Sequence, residues 1–239
     1  MRTRNRFQIS AKDLGALSLA GFCTRCFWLC RSAPNGLPFQ IFPGIFSSID
    51  AYTKRVIQKS FDCHRKFPDW LASLSSCVDY VDPPHHSRFR LDDPSSGMCL
   101  TGSPDGIFLR ADRSLVIVDY KTAKYTEGQD ELRPMYVTQL NGYALIAERQ
   151  YTGVVSGLAL VYAEPITSDD AAIADGVHLT DGFRMSFSVR VVDVPLRVEM
   201  IHPLLERARK ILDAVAAPKG TDGCRDCERL DGLVGLARD

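Results

Sequence analysis

No apolar run in the 239 residues approaches the ~18 that a membrane-spanning helix needs, which excludes a helical span. Lys and Arg number 29, as do Asp and Glu, so net charge is zero and bulk charge carries no nucleic-acid signal. Internal repeats and low-complexity segments are also missing, which excludes solenoid and linker-like architectures. Near the start, Arg2, Arg4 and Arg6 precede "LGALSLAGFC", an imitation of a secretory signal ending in a lipoprotein cysteine. The apolar stretch is too short, Lys12 and Asp13 stand directly before it, and Phe22 takes the place of the small residue such signals require. A cytoplasmic location, with no membrane partner, is the expectation.

What is present suits one large domain or a domain with a small appendage, with an ordinary hydrophobic fraction of 45%. Charge is unevenly spread. Residues 1–66 hold eleven Lys/Arg against three Asp, about +8, which leaves about −8 for the remainder. This suggests either a basic face opposed to an acidic site or an uneven but inert surface.

Eight cysteines stand out: Cys23, Cys26, Cys30, Cys63, Cys77, Cys99, Cys224 and Cys227. In a cytoplasmic chain of this size disulfides are a poor explanation. Cys23-Thr-Arg-Cys26 and Cys224-Arg-Asp-Cys227 have metal-ligand spacing, so a four-thiolate site can form. The pairs lie about 200 residues apart, and their union would join the two ends of the chain. Zn²⁺ and an iron–sulfur cluster both suit four thiolates, and spacing does not choose. Burial as small hydrophobes is the bland alternative, weaker for the polar loop "DGCRDCE". Cys30 could replace Cys26; the other three read as core or incidental residues.

Hydrophobic periodicity predicts a helix over 10–30, capped by Ser10 or Asp13, then a Pro/Gly-rich loop over 32–44. A second helix starts near Ser47 and ends or kinks at Pro68. Residues 77–97 mix short strand-like pieces with turns. Two strands follow at about 99–110 and 114–122, joined near Asp112. Then come a helix over 134–149, a buried strand within 152–165, a half-buried strand over 184–195 and an amphipathic helix over 202–217. The order is that of an α/β fold with a mixed central sheet flanked by helices.

The stretch "GSPDGIFLRADRSLVIVDYKTAK", 102–124, carries the chemistry. Antiparallel pairing sets the start of one strand opposite the end of the next, so Asp105 meets Asp119. Lys121 shares the face of Asp119, and Tyr120 points away. Asp119 and Lys121 alone could be a structural ion pair. Two converging carboxylates, however, repel unless a cation separates them, and hard oxygen ligands favour Mg²⁺ or Mn²⁺. Lys121 could then stabilise charge on a phosphate or orient a water. Such a set suits metal-assisted phosphodiester hydrolysis.

Pro104-Asp105…Asp119-Tyr120-Lys121 resembles the PD-(D/E)xK nuclease superfamily, and Gln139-x-x-x-Tyr143 resembles the Gln-x-x-x-Tyr motif of its RecB-like branch. "CTRCFWL" resembles the "CPRRFYL"-type start of Cas4/AddB-like nucleases, with Cys23 in the family cysteine position. The resemblance spans about residues 10–228. It implies a restriction-endonuclease-like fold, with metal on Asp105, Asp119 and the Tyr120 carbonyl. It also implies catalytic roles for Lys121, Gln139 and Tyr143, the last two flanking the site and placing nucleic acid. The family joins one N-terminal cysteine to three C-terminal ones around a 4Fe-4S cluster. Here the arrangement is two plus two: Cys23, Cys26, Cys224 and Cys227 around a cluster, or zinc instead. The family's upstream histidine has candidates in His64, His85 and His86, although the helix holding Asp50 can occupy its place without one.

The expected activity is a Mg²⁺- or Mn²⁺-dependent DNA nuclease, an exonuclease on single-stranded ends by family analogy. Basic residues of 1–66 would contact the DNA backbone. A non-cleaving DNA-binding or assembly module on the same fold, held by zinc or Fe-S, is the alternative. A zinc-held protein of unrelated chemistry is weaker still. No helicase motif is present, so unwinding would fall to a helicase or another DNA-processing partner. The expected divisions are an N-terminal helical region with the first cysteine pair (1–76), a nuclease core (77–217) and a cysteine-bearing tail (218–239).

Overall fold

The two halves of 106–121 form the antiparallel hairpin that their alternation predicts, and the fold assembles around it. A computed structural model describes residues 7–33, 44–74, 76–126, 130–151 and 153–237. The order begins with β1 (Gln8–Ser10), α1 (Ala11–Gly15) running into a 3-10 turn (Ala16–Ser18), α2 (Thr24–Ser32) and α3 (Gly44–His64). A 3-10 segment (Asp69–Leu74) leads to β2 (Cys77–Val81), β3 (Arg90–Asp93), β4 (Met98–Thr101), β5 (Gly106–Arg110) and β6 (Leu115–Lys121). Next come α4 (Arg133–Gln150), β7 (Val155–Pro165) and a small insert of α5 (Asp169–Ala172), β8 (His178–Leu179) and β9 (Gly182–Phe183). β10 (Phe187–Val194), α6 (Ile201–Leu212) and α7 (Arg225–Leu236) end the series.

The central sheet has the order β10-β7-β6-β5-β2. β6 and β7 are parallel, with α4 in the crossover between them, and the other neighbours are antiparallel. Alternation along β6 divides the core. Leu115 and Ile117 join Leu140, Ala144 and Ile146 of α4 on one face. Val116, Val118 and Tyr120 join Ile57 and Phe61 of α3 on the other. The result is a mixed α/β fold with helices on both faces of the sheet. A smaller sheet, β1-β4-β3, covers the outer side of α4. Hence α4 is buried from Thr138 through Ala147, not along one stripe, as befits a helix held between two layers.

Three expectations need correction. The helix over 10–30 is two helices: Ser10 ends β1 and caps α1, accepting from Asp13 N at 3.0 Å, and the chain turns through Leu19–Phe22 before α2. The strand over 99–110 is also two. Its first half pairs in the small sheet and its second in the central sheet, because Gly102–Asp105 breaks the ladder at a proline. The helix over 202–217 stops at Leu212. Most of the loop predicted over 32–44 lies outside the described residues.

Candidate active site and cysteine centre

The hairpin register pairs Gly106 with Val118, which puts Asp105 across from Asp119. Just before β5 begins, Asp105 extends the ladder: its Oδ2 accepts from Tyr120 N at 2.8 Å. The N–H and C=O of one strand residue leave along the same edge, so the Tyr120 carbonyl also faces the Asp105 side. The Tyr120 ring is buried on the opposite face, against α3.

Asp119 is 3% exposed and forms an ion pair with Lys121. Burial, with the nearby charge of Asp105, pushes the Asp119 carboxyl up to about 7, against the opposing pull of Lys121. A buried carboxylate beside a second one is a ready cation ligand. Lys121 is further fixed by the Tyr136 ring of α4, whose centroid lies 4.3 Å from its Nζ.

From α4, Gln139 Nε2 donates to Asp119 Oδ1 at 3.2 Å and to the Tyr143 hydroxyl at 2.8 Å. Both residues are buried. The Tyr143 ring lies so close to the Gly102 backbone that a β-carbon there would stand 2.3 Å from Cε1. The first glycine of the Gly-Ser-Pro-Asp-Gly turn is therefore a packing requirement.

Two site residues carry no motif. Lys54 of α3 places Nζ 2.7 Å from Asp105 Oδ1 and 2.9 Å from Asp50 Oδ2. Burial alone would lower the Lys54 pKa, but Asp105 and Asp50 outweigh it and raise it. The clue in the sequence is the spacing: Asp50 and Lys54 share one helical face. Among the described residues, none of the histidine candidates belongs to a group of three or more ligands around one ion position. His64 ends α3, about 15 Å along the helix from Lys54 at 1.5 Å per residue. The rings of His85 and His86 contact each other at a tilt of 44° on an exposed segment.

The two CxxC pairs do meet. The Sγ atoms of Cys23, Cys26, Cys224 and Cys227 all lie within 4.8 Å of one another. Among the described residues, this is the group of three or more candidate ligands that closes around one ion position. Cys30, one turn beyond Cys26, is not part of it. Cys23 precedes α2 and Cys224 precedes α7, each at the N-cap, so both pairs open a helix and sit in its favourable dipole. Burial opposes the Cys23 thiolate, yet hydrogen bonds from the Cys26 and Thr221 backbone bring its pKa down to about 6. Arg25 reaches across to Asp231 at 2.6 and 2.8 Å, tying α2 to α7.

The basic surplus of the first 66 residues is partly consumed inside the fold. Arg31 binds Asp13 and the Gln8 carbonyl, Arg25 binds Asp231, and Lys54 serves the site. Arg2, Arg4 and Arg6 lie outside the described residues.

A mixed α/β sheet carrying a carboxylate pair and a lysine at one end of its central hairpin defines a nuclease-type class. Residues 47–231 match the PD-(D/E)XK nuclease superfamily, and the chain belongs to that family. The crystal structure of SSO0001 is similar to this chain at 12% identity, covering 91% of this chain and 82% of its own, with a TM-score of 0.44. No curated protein matches. No helix of the described residues is long and apolar enough to cross a membrane.

Proposed function

We propose that the protein is a divalent-metal-dependent deoxyribonuclease of the RecB-like branch, with a restriction-endonuclease-like core. The observation that carries this reading is the convergence of Asp105 and Asp119 with Lys121, held from behind by Gln139. Asp105, Asp119 and the Tyr120 carbonyl would hold Mg²⁺ or Mn²⁺; the donors are hard oxygens, and two carboxylates leave room for water and phosphate oxygens. The ion would supply Lewis acidity and a bound water of lowered pKa.

The remaining work belongs to side chains. Lys121, fixed between Asp119 and the Tyr136 ring, presents its ammonium to the scissile phosphate or the attacking water. Gln139 orients Asp119, and Tyr143 orients Gln139; both are buried, so their service to the nucleic acid runs through Asp119. Lys54 restrains Asp105 from the α3 side. Single-stranded DNA ends are the substrate this reading favours, with a helicase or similar partner supplying unwound strands.

The test is incubation of end-labelled single- and double-stranded DNA with Mg²⁺, Mn²⁺ or chelator, comparing the native protein with Asp119→Ala and Lys121→Ala. Divalent-dependent cutting lost in both variants supports the reading. Cutting that survives in cleanly purified Asp119→Ala sinks the assignment. DNA binding without cutting under every condition favours the non-cleaving module.

A further inference from the structure

We infer that Cys23, Cys26, Cys224 and Cys227 hold a single tetrahedral zinc ion, and not the four-iron cluster that the family resemblance implies. The inference stands apart from the nuclease reading and rests on sulfur geometry. Four thiolates at about 2.3 Å from one zinc, arranged tetrahedrally, stand roughly 3.8 Å from each other. The observed contacts are 3.6 Å for Cys23–Cys227, 3.5 Å for Cys26–Cys224 and 3.5 Å for Cys26–Cys227, and no pair among the four exceeds 4.8 Å. In a four-iron cube each thiolate binds a different iron, and the cube itself lies between them. Its cysteine sulfurs then stand farther apart than 4.8 Å, and the cage seen here is too small.

The surroundings agree with a single closed site. A side chain at Gly220 would have its β-carbon 2.8 Å from the Cys227 sulfur, so the loop before α7 presses directly on the ligands. Thr221 N lies 3.4 Å from Cys23 Sγ and donates to it, as an outer-shell group does for a metal thiolate. Expanding the cage around a cluster would push this loop off its seat.

The fold also gives the ion a task. α7 is twelve residues long, and Cys227 is its one buried residue. Leu233, Val234 and Leu236 are 50%, 41% and 77% exposed. Hydrophobic burial hardly anchors this helix, and an isolated helix of that length is marginal in water. Zinc bound to both pairs, with release of the thiol protons, would supply the anchor that burial does not, beside the exposed Arg25–Asp231 ion pair.

The experiment uses the full chain purified without oxygen, then offered iron, sulfide and an equal amount of zinc. One zinc per chain with no visible absorption is the expected result, and four irons with acid-labile sulfide in a brown protein would overturn it. X-ray absorption at the zinc edge should show four sulfurs at about 2.3 Å; a shell containing nitrogen or oxygen in place of a cysteine sulfur overturns the four-cysteine assignment. Cys227→Ser should lose the ion and Cys30→Ser should keep it. Retention of zinc by Cys227→Ser counts against the proposal. Cobalt replacement offers a check on the native chain even if Cys227→Ser misfolds: intense tetrahedral thiolate bands support the site, and a weak octahedral spectrum refutes it.

Discussion

At the residue scale, the site is a balance of three carboxylates and two ammonium groups. Asp50 and Asp105 share Lys54, while Asp119 has Lys121. Replacing Lys54 with Met removes the internal cation nearest Asp105, so divalent-ion affinity should rise by about tenfold, equivalent to ~1.4 kcal/mol. Isothermal titration with Mn²⁺ checks this without any reference to turnover. Removing Lys121 should act differently: under the proposed function its charge would face the reacting phosphate, so turnover should fall by about 10²-fold or more. The Asp105–Asp119 meeting was legible in the sequence because antiparallel register is arithmetic once the hairpin turn is located. The partnership of Lys54 with Asp105 was not. A helix advertises which residues share a face, but not which strand end that face will cross.

At the element scale, α4 and the turn before β5 constrain each other through Gly102 and Tyr143. Gly102→Ala should cost about 1–3 kcal/mol, measured by urea unfolding, since the ring must shift to admit a β-carbon. It should also slacken Gln139, and with it Asp119. A second constraint is the buried, hydrogen-bonded Asp93 at the end of β3. Burial alone would raise its carboxyl pKa. Hydrogen bonds from Ser96 Oγ at 2.5 Å, Ser95 Oγ at 2.9 Å and Ser96 N at 3.0 Å, with His202 at 3.1 Å, hold it below the usual carboxylate value. The folded pKa therefore lies under the unfolded one. Its contribution is fully present above about pH 4 and fades as pH falls through the folded value. Asp93→Ala should lose about 1–3 kcal/mol at neutral pH and unfold with a shallower acid dependence, as followed by circular dichroism from pH 7 downward. Elements with strong periodicity, such as β6, β10 and the first part of the 202–217 helix, were readable. The break inside 99–110 was masked because both halves are apolar and each is buried in its own sheet.

At the scale of the whole molecule, the two CxxC pairs meet away from the central hairpin that carries Asp105, Asp119 and Lys121, so the two sites should fail separately. Stripping the cysteine metal with a strong chelator should lower Tm and speed amide exchange in Arg225–Leu236. The central sheet should remain protected, which hydrogen exchange read by mass spectrometry will show. The family was readable from short motifs because those residues are fixed by chemistry. The nature of the cysteine centre was not, since CxxC spacing is the same for one ion or for a cluster. A single ion is inferred from the distances between sulfurs, beside which the loop at Gly220 packs closely.

Joining positions 23 and 26 to 224 and 227 also sets an order of events during synthesis. The hairpin bearing Asp105 and Asp119 can form long before the last two thiols leave the ribosome. The ion can be captured by all four ligands only afterwards. A chain broken off before Cys224 would carry Asp105, Asp119 and Lys121 but only half of the thiolate cage, so a metal held by all four cysteines would mark the copies that contain both pairs.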